Sequence, residues 1–308
     1  MKRVYFIYNP RSGKGTIKSK ITKIINTLTE NDYEVTIRPT QCKMDACETV
    51  KRICSTPDNH YDLIICSGGD GTLNEVIQGL MTSEYRIPVG YIPSGTTNDF
   101  ARSINIPRGI EKALDSIIHG TTHFLDIGSF NTKYFTYVAA FGALTEVSYE
   151  TRQQTKNMLG HAAYIIEGMK HLTKIQSYNL TITYDGNTIT GDYVLGMVSN
   201  TASVGGLLSM GDFLPNDGLY EVTLIKTPNS PAEMQSILSS LLTIKQSVNT
   251  EYVTFFKTSS IKIQSDAELT WTLDGEFGGN ENNVHIYNNR EALEFIVPEL
   301  KIIPLDKS

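Results

Sequence analysis

No apolar run in this sequence approaches the roughly 18 residues that a bilayer-spanning helix requires, so no segment reads as transmembrane. The four cysteines, Cys42, Cys47, Cys54 and Cys66, show neither C-x-x-C spacing nor paired histidines. That excludes a zinc site and a disulfide frame, and the residues read as reduced, cytosolic thiols. The six histidines also lack ligand spacing and read as structural. A strand begins within a few residues of Met1, which leaves no room for a signal peptide. Acidic residues are missing from the amino end: Lys2, Arg3, Arg11, Lys14, Lys18, Lys20 and Lys23 all precede Glu30. A local basic surface is expected there, suited to a polyphosphate, an anionic membrane face or a merely solvated helix face. The net charge of -6 nevertheless argues against general nucleic-acid binding.

What is present points to an ordered chain. Its 308 residues are more typical of two domains than of one, and 9% aromatic with 19% charged residues suits a packed core. The organising stretch is Ser67-Gly68-Gly69-Asp70-Gly71-Thr72-Leu73-Asn74-Glu75. It follows the apolar run Tyr61 to Cys66, a buried parallel strand, and precedes a helical pattern through Val76, Ile77 and Leu80. Glycines let backbone approach a ligand closely, and N–H groups at a helix start can meet phosphate oxygens. A carboxylate beside phosphate repels it, so Asp70 makes sense if magnesium or a ribose hydroxyl intervenes. A tight turn capped by Asp70 or Thr72 is the simpler reading of the same residues.

Two more turns have this character. Val4 to Tyr8 is a buried strand, Asn9-Pro10-Arg11-Ser12-Gly13-Lys14-Gly15 its turn, and Ile17, Ile21, Ile24, Ile25 and Leu28 recur at helical spacing. This places glycines and Lys14 at a helix start, although a Walker A loop is excluded: it needs glycine where Tyr8 stands and a hydroxyl where Gly15 stands. Tyr33 to Arg38 reads as a strand leading through Pro39-Thr40 to a helix from about Met44 to Cys54. Pro88 to Ile92 is a fourth strand, followed by Pro93-Ser94-Gly95-Thr96-Thr97-Asn98-Asp99-Phe100-Ala101-Arg102. Capping by Asn98 or Asp99, with Arg102 paired locally, would also explain that last turn. Alternating strands and helices imply a parallel sheet with ligands at the carboxyl ends of its strands, where each of these turns falls.

After the helix containing Ile110, Ala113, Leu114, Ile117 and Ile118 the pattern changes. From Phe124 onward alternating runs dominate, at Lys133 to Phe141, Leu180 to Tyr184, Tyr193 to Ser199 and Tyr220 to Ile225, with Asp185-Gly186-Asn187 a hairpin signal. This reads as an antiparallel sandwich or barrel, interrupted by helices near Tyr164 to Leu172 and Ala232 to Ile244. Asp126 stands near the change of character. Leu269 to Glu276 is a strand ending in Asp274-Gly275-Glu276, where two carboxylates at a turn suit either acid–base work or plain hairpin chemistry. The apolar, glycine-rich Val204 to Met210 suits a lid or a core strand.

The ordered trio Asn9-Pro10-Arg11-Ser12-Gly13, Gly68 to Glu75 and Gly95 to Arg102 resembles the diacylglycerol kinase catalytic family, above all its soluble bacterial lipid kinases. The glycine-aspartate turn alone is shared with NAD kinases. The resemblance spans nearly the whole chain and implies a two-domain α/β plus all-β fold. Residues 1–124 would form a parallel-sheet ATP-binding domain, NAD-kinase- or phosphofructokinase-like, with 295–308 a candidate to complete it. Residues 125–294 would form an antiparallel β-sandwich for the lipid, with a cleft between the two. ATP is then expected against Asn9, Pro10, Arg11, Ser12, Gly13, Thr40, Gly69, Asp70, Gly71, Thr72, Leu73, Asn74, Glu75 and Thr96. Asp70, Asp99 and Asp126 would organise magnesium, Asp274 or Glu276 would be the general base, and Lys14 and Arg102 would face the lipid interface or the phosphates.

Leu214-Pro215-Asn216-Asp217-Gly218-Leu219 resembles the family's structural magnesium segment with a shortened interval. Asp217 and the carbonyls of Leu214 and Leu219 are the expected ligands. The implied enzyme is a cytoplasmic, ATP- and Mg-dependent lipid kinase at the inner membrane face, phosphorylating diacylglycerol, with a homodimer left open. An NAD kinase and a catalytically idle nucleotide-binding regulator are the competing readings.

Overall fold

The computed structural model describes residues 1–55, 61–142, 176–200, 203–204, 208–209, 214–230, 232–237 and 249–298. The expected helix near Tyr164 to Leu172, residues 205–207 and 210 of the Val204 to Met210 segment, and residues 238–244 of the helix expected from Ala232 to Ile244 lie outside them. Two compact units emerge, Met1–Ile127 with the segment returning from Asn289, and Gly128–Asn288. They divide at 127/128 and 288/289, against the expected 124/125 and 294/295. The cause is that strands run unbroken through both junctions, so composition changes away from the structural boundary.

In the first unit β1 (Lys2–Tyr8) pairs in parallel with β2 (Tyr33–Pro39) and β3 (Leu63–Gly68), and β3 with β4 (Val89–Pro93). Phe295 and Ile296 of the returning chain align beside Val89 and Gly90, extending the sheet. Val4, Phe6, Ile7, Ile64, Ile65, Tyr91 and Ile92 are wholly buried, as strands covered on both faces must be. The helices are α1 (Ile21–Glu30), α2 (Asp45–Cys54), α3 (Asp70–Met81), α4 (Asp99–Ser103) and α5 (Ile110–His119). α1 packs with α5 and α2 with α3. Gly79 makes the α2–α3 approach possible, because a Cβ there would lie 2.7 Å from Val50 Cβ.

One local expectation changes. A 3₁₀ turn, Thr16–Lys20, stands between the turn at residues 9–15 and α1, so Lys14 does not sit at the start of the α-helix. Two left-handed glycines, Gly13 and Gly15, precede it and delay regular winding. The expected basic surface is partly neutralised, since Glu111 takes both Lys20 (3.3 Å) and Lys23 (2.7 Å).

The second unit is antiparallel. β5 (Thr121–Phe130) enters it from the first, followed by β6 (Lys133–Phe135), β7 (Val138–Gly142), β8 (Tyr178–Tyr184) and β9 (Asn187–Ser199). Short β10 (Ser203–Val204) and β11 (Leu208–Ser209) pair with each other. β12 (Tyr220–Lys226), β13 (Val253–Thr258), β14 (Ser260–Leu273) and β15 (Glu276–Val297) complete the set. Tyr184 faces Asn187 across a two-residue turn with Asp185 at φ 46° and Gly186 at φ 77°, the hairpin expected there. Long strands change partner along their length: β14 pairs with β8 over residues 261–265 and with β7 over residues 271–273. The core gathers Phe130, Phe135, Phe141, Tyr220, Trp271 and the aliphatic positions of β8, β12 and β14. No helix among the described residues is long and apolar enough to cross a membrane.

Candidate active site

The three turns singled out in the sequence meet at the carboxyl ends of β1, β3 and β4. Their contacts are largely backbone, so small residues are required. A Cβ on Gly13 would lie 2.3 Å from Ser94 O, and one on Gly95 would lie 2.5 Å from Gly69 Cα. Ser94 N donates to Gly68 O at 2.8 Å and Asn9 N to Ser67 O at 2.8 Å. Asn9 Nδ2 reaches Thr72 Oγ1 at 3.1 Å, while its Oδ1 accepts the Arg11 amide at 2.9 Å. Asn98, at φ 52°, closes its own turn by accepting from Gly95 N (3.0 Å) and donating to Gly95 O (2.9 Å).

Asp70 opens α3 and accepts the Asp99 amide at 3.2 Å and the Phe100 amide at 3.4 Å. Its carboxylate therefore joins the second turn to the third. Asp99 faces Arg102 at 3.3 Å, the local pairing that the sequence left open. Thr40 is fastened by its amide to Tyr8 O at 2.9 Å. Gly71, Asn74 and Pro10 are half-buried, Ser12 is buried, and Arg11, Lys14 and Thr96 are exposed. Leu73 turns its side chain into the core, 1% exposed, so any contact it makes with a ligand comes from backbone. Glu75 meets backbone: Met44 N at 2.8 Å and Ala46 N at 3.2 Å. Asp126, 1% exposed, accepts the Glu291 amide at 2.7 Å.

Sequence reasoning missed Tyr91 in this unit. Its buried phenol donates to Gly68 O at 3.1 Å and lies 3.4 Å from Asn98 Oδ1, tying two turns together from beneath. Burial raises its pKa well above the ordinary tyrosine value, so it stays a donor. The only available signal was a single polar atom within an apolar strand.

In the second unit Asp274 and Gly275, at φ 52° and 80°, form the two-residue turn between β14 and β15. Asp274 is 5% exposed and its carboxylate collects four donors. Oδ2 accepts Thr136 N (2.8 Å) and Thr136 Oγ1 (2.9 Å), and Oδ1 accepts Tyr137 N (2.9 Å) and Val138 N (3.2 Å). This explains why the expected single strand from Lys133 to Phe141 is broken between β6 and β7: the amides there turn to a carboxylate. Burial pushes the Asp274 pKa up, more than the amides of Tyr137, Thr136 and Val138 pull it down. Glu276 is exposed on the far side of the turn.

At the expected structural metal segment, Asp217 Oδ1 accepts the Leu219 amide at 2.9 Å and Oδ2 lies 3.7 Å from Lys257 Nζ. Lys257 is bound more closely by the buried Glu221, at 2.9 Å. Leu214 is exposed. Among the described residues no three His, Cys, Asp or Glu side chains form a metal cage.

Comparison with known proteins gives the family. Residues 3–130 match the family described as diacylglycerol kinase catalytic domain, and residues 138–295 match the YegS C-terminal NAD kinase beta sandwich-like domain. The chain is 35% identical to a diacylglycerol kinase of Bacillus subtilis, covering 99% of this chain and 100% of that one. A diacylglycerol kinase of Staphylococcus carnosus is 34% identical, covering 97% of this chain and 96% of its own. A solved structure described as a diacylglycerol kinase from Bacillus anthracis shares the fold at TM-score 0.75 and 24% identity, over 97% of each chain. Another from the same organism reaches TM-score 0.81 at 26% identity, over 97% of this chain and 96% of that one. With three glycine turns gathered at one end of a parallel sheet and relatives matching from end to end, the chain belongs to the diacylglycerol kinase catalytic domain family.

Proposed function

We infer that this chain is an ATP-dependent lipid kinase that phosphorylates a lipid hydroxyl, with diacylglycerol the leading acceptor and phosphatidic acid the product. The observation that carries the reading is the meeting of the turns at residues 9–15, 68–75 and 93–102, where backbone amides and hydroxyls are drawn together by contacts only glycine permits. Such a surface suits a triphosphate. The relatives named above are diacylglycerol kinases, which selects the acceptor class.

Magnesium fits this surface through Asp70. Nucleotide-bound magnesium ordinarily takes one or two carboxylates and completes its shell with phosphate oxygens and water, so no protein cage is needed. When bound, it supplies charge neutralisation at the phosphates. The chain's own residues do the remainder: the three turns hold the triphosphate, Asp99 and Arg102 place one charge of each sign beside it, and Asp126 fixes the backbone at Glu291.

Between the two candidate bases, Glu276 is the better placed. Both oxygens of Asp274 already hold two donors each, and a lipid hydroxyl would have to displace one. Asp274 instead shapes the turn that presents Glu276. In the transfer the acceptor oxygen bonds to the γ-phosphorus, the bond from that phosphorus to the β–γ bridging oxygen breaks, and the hydroxyl proton passes to Glu276. A positioned base contributes about 10²- to 10⁴-fold, leaving alignment and electrostatics to supply the rest. Asp217 with the Leu214 and Leu219 carbonyls would hold a structural magnesium ion only by displacing Lys257 from beside Oδ2, and Lys14 and Arg102 are given the role of facing the lipid interface or the phosphates.

The test is transfer of labelled phosphate from ATP to diacylglycerol in mixed micelles, with NAD as the competing acceptor. Labelled phosphatidic acid supports the reading. Labelled NADP in its place would establish the NAD-kinase alternative, and ATP binding without transfer to a broad lipid panel would establish a regulator.

A further inference from the structure

Glu75 belongs to the glycine-aspartate motif but turns away from its turn. It lies on α3 a little over one helical turn beyond Asp70 and accepts two amides at the start of α2, Met44 N on Oε1 at 2.8 Å and Ala46 N on Oε2 at 3.2 Å. Asp45, the first residue of α2, secures the same segment from its other side. Its Oδ2 accepts Gln41 N at 2.7 Å and its Oδ1 meets Arg38 Nη2 at 3.0 Å. Between these anchors Met44 is held at φ 67°, a left-handed conformation costly for a side chain of that size. At the other end of the segment Thr40 N is fixed to Tyr8 O. No cap hydrogen bond comes from the Met44 side chain at the N-cap of α2, so Glu75, reaching over from α3, does the work a local cap ordinarily does, while Asp45 fastens the segment before the helix.

We propose that Glu75 and Asp45 are positioning residues that order the segment from Thr40 to Met44 as one wall of the nucleotide site, setting affinity for ATP without taking part in phosphoryl transfer. α3 is then a two-ended bracket: Asp70 draws in the Asp99 and Phe100 amides, and Glu75 draws in the Met44 and Ala46 amides. The proposal rests on the reading in which Thr40 faces nucleotide. Its energetic logic is population shift, because a ligand that needs an ordered wall binds more weakly in proportion to the fraction of molecules in which that wall is ordered. Lowering the ordered fraction to about a tenth weakens ATP about tenfold.

The experiment uses the full chain and the variants Glu75→Ala, Glu75→Gln and Asp45→Asn, read three ways. In nucleotide-free protein, amide hydrogen exchange at Met44 and Ala46 should accelerate in Glu75→Ala, and to a smaller extent in Glu75→Gln, which keeps one acceptor. Asp45→Asn should accelerate exchange at Gln41. ATP affinity by equilibrium dialysis should fall about tenfold in Glu75→Ala, with a matching rise in KM for ATP and kcat at saturating ATP little altered. Unchanged exchange, or accelerated exchange with unchanged ATP affinity, overturns the proposal. A loss of kcat at saturating ATP with unchanged KM also overturns it, since Glu75 would then act on the reacting atoms. Should Glu75→Ala fail to fold, the Gln and Asn variants carry the same comparison. Exchange and dialysis are independent of the acceptor, so an absence of lipid phosphorylation would count against the function above and not against this wall.

Discussion

Asp274 and Glu276 stand two residues apart and answer to different physics. Replacing Asp274 by Asn puts an amide NH₂ where one oxygen now collects two donors, leaving a buried N–H without its acceptor. The expected cost is about 1–3 kcal/mol of stability, together with loss of turnover as the turn relaxes. Glu276 is exposed, so Glu276→Gln should leave the urea midpoint near wild type while lowering kcat by about 10²- to 10⁴-fold. Near-normal turnover per folded molecule in Glu276→Gln would transfer the base role to Asp274. Asp70 also contributes to the fold, because its carboxylate anchors the Asp99 and Phe100 amides. Asp70→Ala should abolish measurable turnover and also lower the melting temperature. A fully active Asp70→Ala would remove the metal-organising role.

At the scale of elements, α3 and the two segments it brackets make pH dependence predictable. Burial raises the Asp45 pKa, but the Gln41 amide and the Arg38 guanidinium together carry it below the ordinary value of 3.8. A carboxylate with a lowered folded pKa contributes stability above its unfolded pKa and loses it as pH falls through the folded one. The urea-midpoint gap between wild type and Asp45→Asn should therefore be full above pH 3.8 and close as the solution is acidified further. A gap that widened on acidification would contradict the ion pair. At this scale the pattern of the first unit was legible: β1, β3 and β4 bury apolar runs, β2 alternates, the longer helices show one apolar stripe, and glycines mark the ends. The 3₁₀ turn and the break between β6 and β7 were not. One follows from two left-handed glycines in the turn, the other from an acceptor more than a hundred residues away.

For the whole molecule, the single tryptophan offers a probe confined to the second unit. Trp271 is fully buried between Phe130 and Phe141, each with its ring centroid 4.9 Å away. Phe141→Ala should destabilise this unit by about 3–5 kcal/mol, moving the tryptophan-fluorescence transition to lower urea. Coincident movement of a first-unit probe would show that the two units unfold together, and an unmoved one that they unfold separately.

The sequence by itself determined the parallel architecture of the first unit, the family, and the identity of the turns that form its site. Those rest on local rules: buried runs, helical periodicity, and glycine where backbone must approach backbone. It missed β15, whose residues 278–290 are rich in asparagine and have no apolar alternation strong enough to read. Pairing with β14 makes that stretch a strand, a nonlocal fact. Tertiary structure alone also decided what each carboxylate does. Asp274, Glu75 and Asp70 look alike in a motif, yet one is saturated by four donors, one caps a distant helix and one joins two turns. A carboxylate's role follows from which donors reach it, and those come from parts of the chain that only folding brings near.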